Sequence, residues 1–473
     1  MTQDTTGAAA LKTPAADCSG AGSPGESSLE ALLISIFESW TKRGIEFLVL
    51  RNYENLPSST GNDVDVLVAP NQLETAERLM IAAARQCGYL MHNRVEFATL
   101  SCFFFHPESL NQIQIDLFST LSWHAFEIVS TREVLEERQK RGLFCIPHPV
   151  HEAVIDLLTR LVYQGSVKEK YRPVILAGFS QFPDRARALL AKCFGDRLAS
   201  EIVRLSLGQQ WESVERMWRT LRRELVLRRA TRHPIGTLGS LFGDGLRFIR
   251  RMVAPGGLVV VVMGPDGSGK STVSEVVVEK LRNTFNPGKM LRVHWKPVVF
   301  FKQRRKPTGR PTVDPHKKPP RNAPSSMCYL LGHWAEFLLG SHFGFRKAAF
   351  KNGLVLVDRY HYDFLVDQRR YRLNVPKGLV RLLFKTVKRP DLVFLFDAAP
   401  EVFQARKQEV PFAETARQVT AYRALIQTLP QGRILNAAQP VNEVAHDMTA
   451  EILRCLASRT ARRHAAARQL SPH

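Results

Sequence analysis

A chain of 473 residues, 44% hydrophobic and 23% charged, is long enough for two or three domains, each with its own core. No apolar run reaches the roughly 18 residues of a membrane span. Seven scattered cysteines with no CxxC pair exclude a disulfide scaffold and a structural zinc, and fit a reduced, cytoplasmic chain. The formal net charge of +22 suits an anionic partner: nucleic acid, an anionic membrane face or a phosphorylated substrate. For nucleic acid, charge is the only support, since no zinc-finger, RRM or KH signature is present.

In chain order, residues 1–28 are rich in Ala, Gly, Ser and Thr, lack a basic-then-apolar signal pattern, and read as a disordered leader. Residues 29–165 mix helices and strands. Leu29 to Lys42 is amphipathic, Phe47–Leu50 and Val64–Val68 read as strands, Asn71 to Gln86 as a helix, and Gln112–Phe118 alternates like a strand. Asp63 and Asp65, two apart on a strand, share one face, and Asp116 sits on a second strand. Three carboxylates on one edge are a candidate Mg²⁺ site for attack on an α-phosphate; strand-end carboxylates on a surface are the plainer alternative. The stretch Arg51-Asn52-Tyr53-Glu54-Asn55-Leu56-Pro57 followed by Asp63-Val64-Asp65 resembles the polymerase-β-like nucleotidyltransferases. That resemblance implies an α+β nucleotidyltransferase-like domain. Arg51-Asn52 stands where the wider superfamily has the Gly-Gly or Gly-Ser pair that cradles a triphosphate, so a fold that binds without turnover stays open.

Residues 166–254 form a helical, basic connector, with arginines from Arg216 to Arg251 interleaved with apolar residues. Arg247, Arg250 and Arg251 beside Phe248 and Ile249 suit a helix lying peripherally on the anionic inner membrane face; arginines paired with nearby acids are the alternative.

Residues 255–458 alternate strand and helix, which argues a parallel sheet with helices on both faces. The apolar run Leu258–Met263 leads into Gly264-Pro265-Asp266-Gly267-Ser268-Gly269-Lys270-Ser271-Thr272 and then a helix, the strand–loop–helix setting of a phosphate-binding P-loop. Backbone N–H groups there wrap a nucleoside triphosphate, Lys270 reaches its β- and γ-phosphates, and the Ser271 hydroxyl ligates Mg²⁺. A strand ending Asp358-Arg359-Tyr360, another ending at Asp397, and Arg406-Lys407 downstream all fall at the same sheet edge. Asp363 and Asp367, spaced i and i+4, share a helix face near Arg370; they read either as a solvated ion-pairing face or, for Asp363, as an acceptor-orienting carboxylate. The Lys302–Arg321 insert carries five prolines, and residues 459–473 form a basic tail that is expected to fray.

D-G-S-G-K-S-T, then D-R-Y, then P-D-L-V-F-L-F-D with a downstream R-K resembles the thymidylate kinase group of nucleoside monophosphate kinases, over roughly Gly257 to Leu456. The resemblance implies that ATP and Mg²⁺ are cofactors, Asp266 faces the acceptor and Arg359 approaches the phosphates. It also implies a lid beginning at Arg406-Lys407 and an adenine-packing loop at Asn436-Ala437-Ala438. The acceptor side departs from the family: His294-Trp295-Lys296-Pro297, the basic insert and the apolar helix Ser326 to Leu339 replace its arginine-bearing elements. D-R-Y-x-Y-D with R-R-Y resembles a subgroup associated with surface-polysaccharide genes. Three functions follow as expectations. The first is an ATP-using phosphotransferase acting on an anionic or polar acceptor: a nucleotide, a phosphosugar or a lipid-linked saccharide. The others are a nucleotidyltransferase with a regulatory P-loop, and a non-catalytic, membrane-associated ATP binder. The oligomeric state is not legible.

Overall fold

The structure is a computed structural model that describes residues 26–61, 63–96, 99–123, 126–232, 255–285, 287–295, 319–408 and 410–469. The expectations for residues 1–25, for the membrane-facing arginines Arg247, Arg250 and Arg251, and for most of the proline-rich insert lie outside the described residues.

Two five-stranded sheets organise the chain. The first holds β1 (Phe47–Val49), β2 (Asp63–Val68), β3 (Leu90–Glu96), β4 (Leu100–Phe105) and β5 (Gln112–Phe118) in the order β1-β2-β5-β4-β3. β2 and β5 run parallel with Asp65 opposite Asp116; the other pairs are antiparallel. Alternation in β5 buries Ile113, Ile115 and Leu117 and leaves Asp116 on the other face. Two small hairpins follow, β6 (Leu121–Trp123) with β7 (Phe126–Val129) and β8 (Gln139–Arg141) with β9 (Phe144–Ile146).

Six helices occupy 149–232, as the sequence pattern implies. They do not bridge two units as a bare connector would. Leu158, Ile175, Leu190 and Leu221 share one core with Leu48, Leu50 and Leu67 of the first sheet region. Two arginines of the basic block are engaged in this packing: Arg222 donates to the carbonyls of Val162 and Tyr163, and Arg228 pairs with Glu224 at 2.7 Å.

The second sheet is wholly parallel. Its strands β10 (Leu258–Met263), β11 (Leu291–His294), β12 (Leu354–Asp358), β13 (Leu392–Asp397) and β14 (Gly432–Asn436) lie in the order β11-β12-β10-β13-β14. Central β10 is buried on both faces, hence its unbroken Val run. Val260 and Val262 join the core under helices Lys270–Lys280 and Val441–Gln469. Val259, Val261 and Met263 face the helices Ala323–Leu339 and Phe412–Gln427.

The expected fraying of 459–473 is corrected as far as Gln469; residues 470–473 lie outside the described residues. The last helix runs on to Gln469, with Arg459 donating to Gly257 O at 2.9 Å and Thr460 donating to His92 O of β3 at 2.8 Å. Arg463 likewise donates to Pro255 O at 3.1 Å. Among the described residues no helix is long and apolar enough to cross a membrane.

Candidate functional site

β10 ends where the P-loop begins, and the loop's shape needs its glycines. Gly264 has φ +147, and a Cβ there would lie 2.9 Å from Phe396 O of β13; Gly267 has φ +82 beneath Lys407. Gly269 in the left-handed region opens helix Lys270–Lys280. Lys270 folds back over the loop, donating to Gly264 O (3.0 Å), Pro265 O (2.8 Å) and Ser268 Oγ (3.0 Å). Burial, aided by Arg359, brings its ammonium down to about 8, so a phosphate arriving here meets a poorly solvated cation. Ser271 and Thr272 stand exposed on the first helical turn.

Asp358 closes β12 beside Val262 of β10. Its Oδ2 meets His294 Nδ1 at 3.1 Å, while its buried Oδ1 has no hydrogen-bond partner among the described residues. Burial pushes this carboxyl up, but the His294 bond, Lys270 and Arg359 outweigh it, and it lies below the ordinary range. An orphaned oxygen on a carboxylate within reach of the Lys270 charge fits a hydrated Mg²⁺.

Arg359 sits at φ +67, uncommon for a side-chain-bearing residue, with its N–H on Val262 O at 3.0 Å. Its guanidinium joins Asp363 (3.0 Å) to Asp266 of the P-loop, and Arg370 reaches the other Asp266 oxygen at 2.5 Å. Burial opposes the charge on Asp266, yet Arg359 and Arg370 hold its carboxyl far below the usual range. The alternatives read for Asp363 need correction. It is 1% exposed and accepts from Arg359, Tyr371 (3.3 Å) and Tyr422 (3.0 Å), so it neither faces an acceptor nor lies on a solvated surface. Asp367 is also buried, beyond the short helix Asp363–Val366, accepting from Arg370 N and Gln418.

Arg406 ends helix Pro400–Arg406 and donates to Ala437 O at 2.7 Å. With Ser268, Gly269, Ala437, Pro440 and Val441 it lines a cleft of about 270 Å³ at the mouth of the loop. Asp397 reaches the same edge but is held by Arg423 at 2.9 and 3.0 Å.

On the first sheet, ligand atoms of Asp63, Asp65 and Asp116 lie within 4.8 Å of one another. Arg51 pairs with Asp65 at 2.5 Å, and Gln114 donates to both Asp116 oxygens at 3.0 Å. Burial, with Asp65 and Asp63 adding repulsion against the Gln114 and Ser101 bonds, raises Asp116 to about 6; burial and Asp65 also raise Asp63. Such a cluster binds either protons or a cation. The sequence alone assigns no roles to Arg51, His294, Arg370, Tyr371 and Tyr422; the partners of His294, Arg370 and Tyr422 lie 64, 104 and 59 residues away.

No protein-family model matches the chain. A thymidylate kinase from Malacoplasma penetrans (strain HF-2) is 28% identical over 216 residues, covering 42% of this chain and 96% of the relative. The crystal structure of thymidylate kinase from Ehrlichia chaffeensis is matched over 41% of this chain and 97% of its own, at 17% identity and a TM-score of 0.30. The C-terminal part of this chain is thus similar to thymidylate kinases, which supports a P-loop kinase domain there.

Proposed function

We propose that this chain transfers the γ-phosphoryl group of ATP, with Mg²⁺, to a nucleotide, phosphosugar or lipid-linked saccharide acceptor. The observation that carries the reading is the convergence of Lys270, Asp358, Arg359 and Asp266 at one edge of the parallel sheet. Gly264, Gly267 and Gly269 shape the loop around the phosphates; Ser268 and Thr272 complete it. Lys270 leaves its loop carbonyls to neutralise the β- and γ-phosphates, Ser271 and Asp358 hold Mg²⁺ and its water, and Arg359 meets the transferring group. Asp363 is a positioning residue that fixes Arg359. Arg406 and Ala437 border the place for adenine. Preorganised donors of this sort each contribute about 3 kcal/mol to transition-state stabilisation. A cytoplasmic location goes with this reading, and so does a kinase domain that begins at about residue 255.

The test is ADP release from ATP and Mg²⁺ with thymidine monophosphate as acceptor, followed by phosphosugars and lipid-linked saccharides, with Lys270→Ala as blank. Near-wild-type turnover in that variant sinks the proposal. The carboxylate cluster favours a second reading, in which Asp63, Asp65 and Asp116 hold a divalent cation for nucleotidyl transfer. Loss of activity in Asp63→Asn/Asp65→Asn but not in Lys270→Ala would establish it over the first.

A further inference from the structure

The two faces of the parallel sheet are covered differently. The core under helices Lys270–Lys280 and Val441–Gln469 also takes in Phe105 of the first sheet, whereas the core on the opposite face is built from the C-terminal part alone. The outer layer there comprises helix Ala323–Leu339, its continuation through the π turn Gly340–Phe345 and helix Arg346–Phe350, and helix Lys377–Phe384. The two runs are clasped side by side. Trp334 Nε1 donates to Thr386 Oγ1 at 2.9 Å, Lys388 N donates to Ser341 Oγ at 3.3 Å, and the rings of Phe337 and Phe384 meet at 5.8 Å.

Helix Lys377–Phe384 turns Val380 and Phe384 inward and leaves Leu382 62% exposed among Lys377, Arg381 and Lys385. Phe343, two residues beyond Ser341, is 71% exposed, with Lys347 one turn further on. From Asn322 to Pro390 every exposed charged residue is a lysine or an arginine. Apolar tips set among cations, with no exposed acid to repel an anionic surface, suit a lipid bilayer: the charges draw the face in and the tips enter the headgroup layer. A second copy fits poorly, because a two-fold interface would set this one-sign patch against itself. Segments 233–254 and 296–318 are themselves net basic, so charge disfavours them as its cover too.

We propose that the face made by Phe343 and helix Lys377–Phe384 docks the protein on an anionic lipid bilayer. This face is distinct from the segment carrying Arg247, Arg250 and Arg251, and its docking does not depend on the phosphotransferase reading.

The probe is sedimentation of the full chain with vesicles of equal parts phosphatidylcholine and phosphatidylglycerol, and with phosphatidylcholine alone. Wild type is expected to bind the anionic vesicles only. Because the whole chain is cationic, two charge-matched variants are compared. Lys377→Glu/Arg381→Glu/Lys385→Glu/Lys388→Glu is expected to weaken binding roughly a hundredfold or more, and Arg43→Glu/Arg85→Glu/Arg197→Glu/Arg204→Glu, at exposed positions of the N-terminal part, by less than about tenfold. Phe343→Ser/Leu382→Ser is expected to weaken it roughly tenfold, through the lost apolar tips. Docking is overturned if wild type ignores anionic vesicles, or if the two quadruple variants lose equally, which is attraction by net charge alone. It is also overturned if Phe343→Ser/Leu382→Ser binds vesicles as wild type does; a loss of self-association in that variant, read by light scattering, would then assign the face to a second copy.

Discussion

Asp363 lies 3.0 Å from the Arg359 guanidinium and, through it, holds the P-loop carboxylate of Asp266. The two charges are buried together, and Tyr371 and Tyr422 also donate to Asp363. Burial opposes the charge on Arg359, but Asp363 and Asp266 raise its affinity for the proton and keep it cationic.

Asp363→Asn should therefore lower kcat by tenfold or more, roughly one lost transition-state contact, while KM for ATP changes less. Removing one partner of a buried pair also costs about 3–5 kcal/mol of stability. Steady-state kinetics beside a thermal melt check both; an unchanged kcat would remove Asp363 from the positioning chain.

His294→Ala should move the acid limb of the activity profile to higher pH. Asp358 has its pKa depressed against burial chiefly by the His294 bond, so it stays ionised below the ordinary carboxylate range. Without His294 the folded-state pKa rises, and the ionised form is lost earlier as pH falls. A pH–rate profile of both proteins decides it, and coincident limbs would refute the assignment.

Divalent cation binding at the first sheet should strengthen between pH 5 and 7. Asp116 is raised to about 6, so below that pH a cation must displace a proton, whereas above it the carboxylate is free. Mn²⁺ should raise Tm more at pH 7.5 than at pH 5, and Asp63→Asn should erase the difference. A pH-independent shift, or one surviving in Asp63→Asn, argues against the cluster.

Two glycines should respond with opposite signs to alanine. Gly267→Ala forces a Cβ into φ +82 and to 3.0 Å from Lys407 Cβ, costing about 1–2 kcal/mol and weakening ATP binding. Gly332 lies exposed inside helix Ala323–Leu339 with open space around it, so Gly332→Ala should add up to about 1 kcal/mol. Equilibrium unfolding and ATP titration of both variants test the pair.

The P-loop was legible because its chemistry is local: nine consecutive residues with a strand before and a helix after. Asp63, Asp65 and Asp116 were legible through the period of two in β2 and β5. The Arg370–Asp266 bond spans 104 residues and the Tyr422–Asp363 bond 59, and no spacing rule reaches so far. β3 was illegible for a related reason. It buries the polar His92, and part of its cover is Thr460, 368 residues on.

That covering helix begins beside the P-loop cleft, where Val441 and Val444 line the wall, and ends against β3. From Val441 to Thr460 it acts as a strut about 29 Å long at the α-helical rise. His464 near its far end also lies 3.6 Å from Glu77 of the first sheet's helix Leu73–Gln86. A fragment cut at Gly257 would keep the strut and lose what it leans on, leaving a bare flank where β3 had been. The last helix thus ties the two sheets together at its far end.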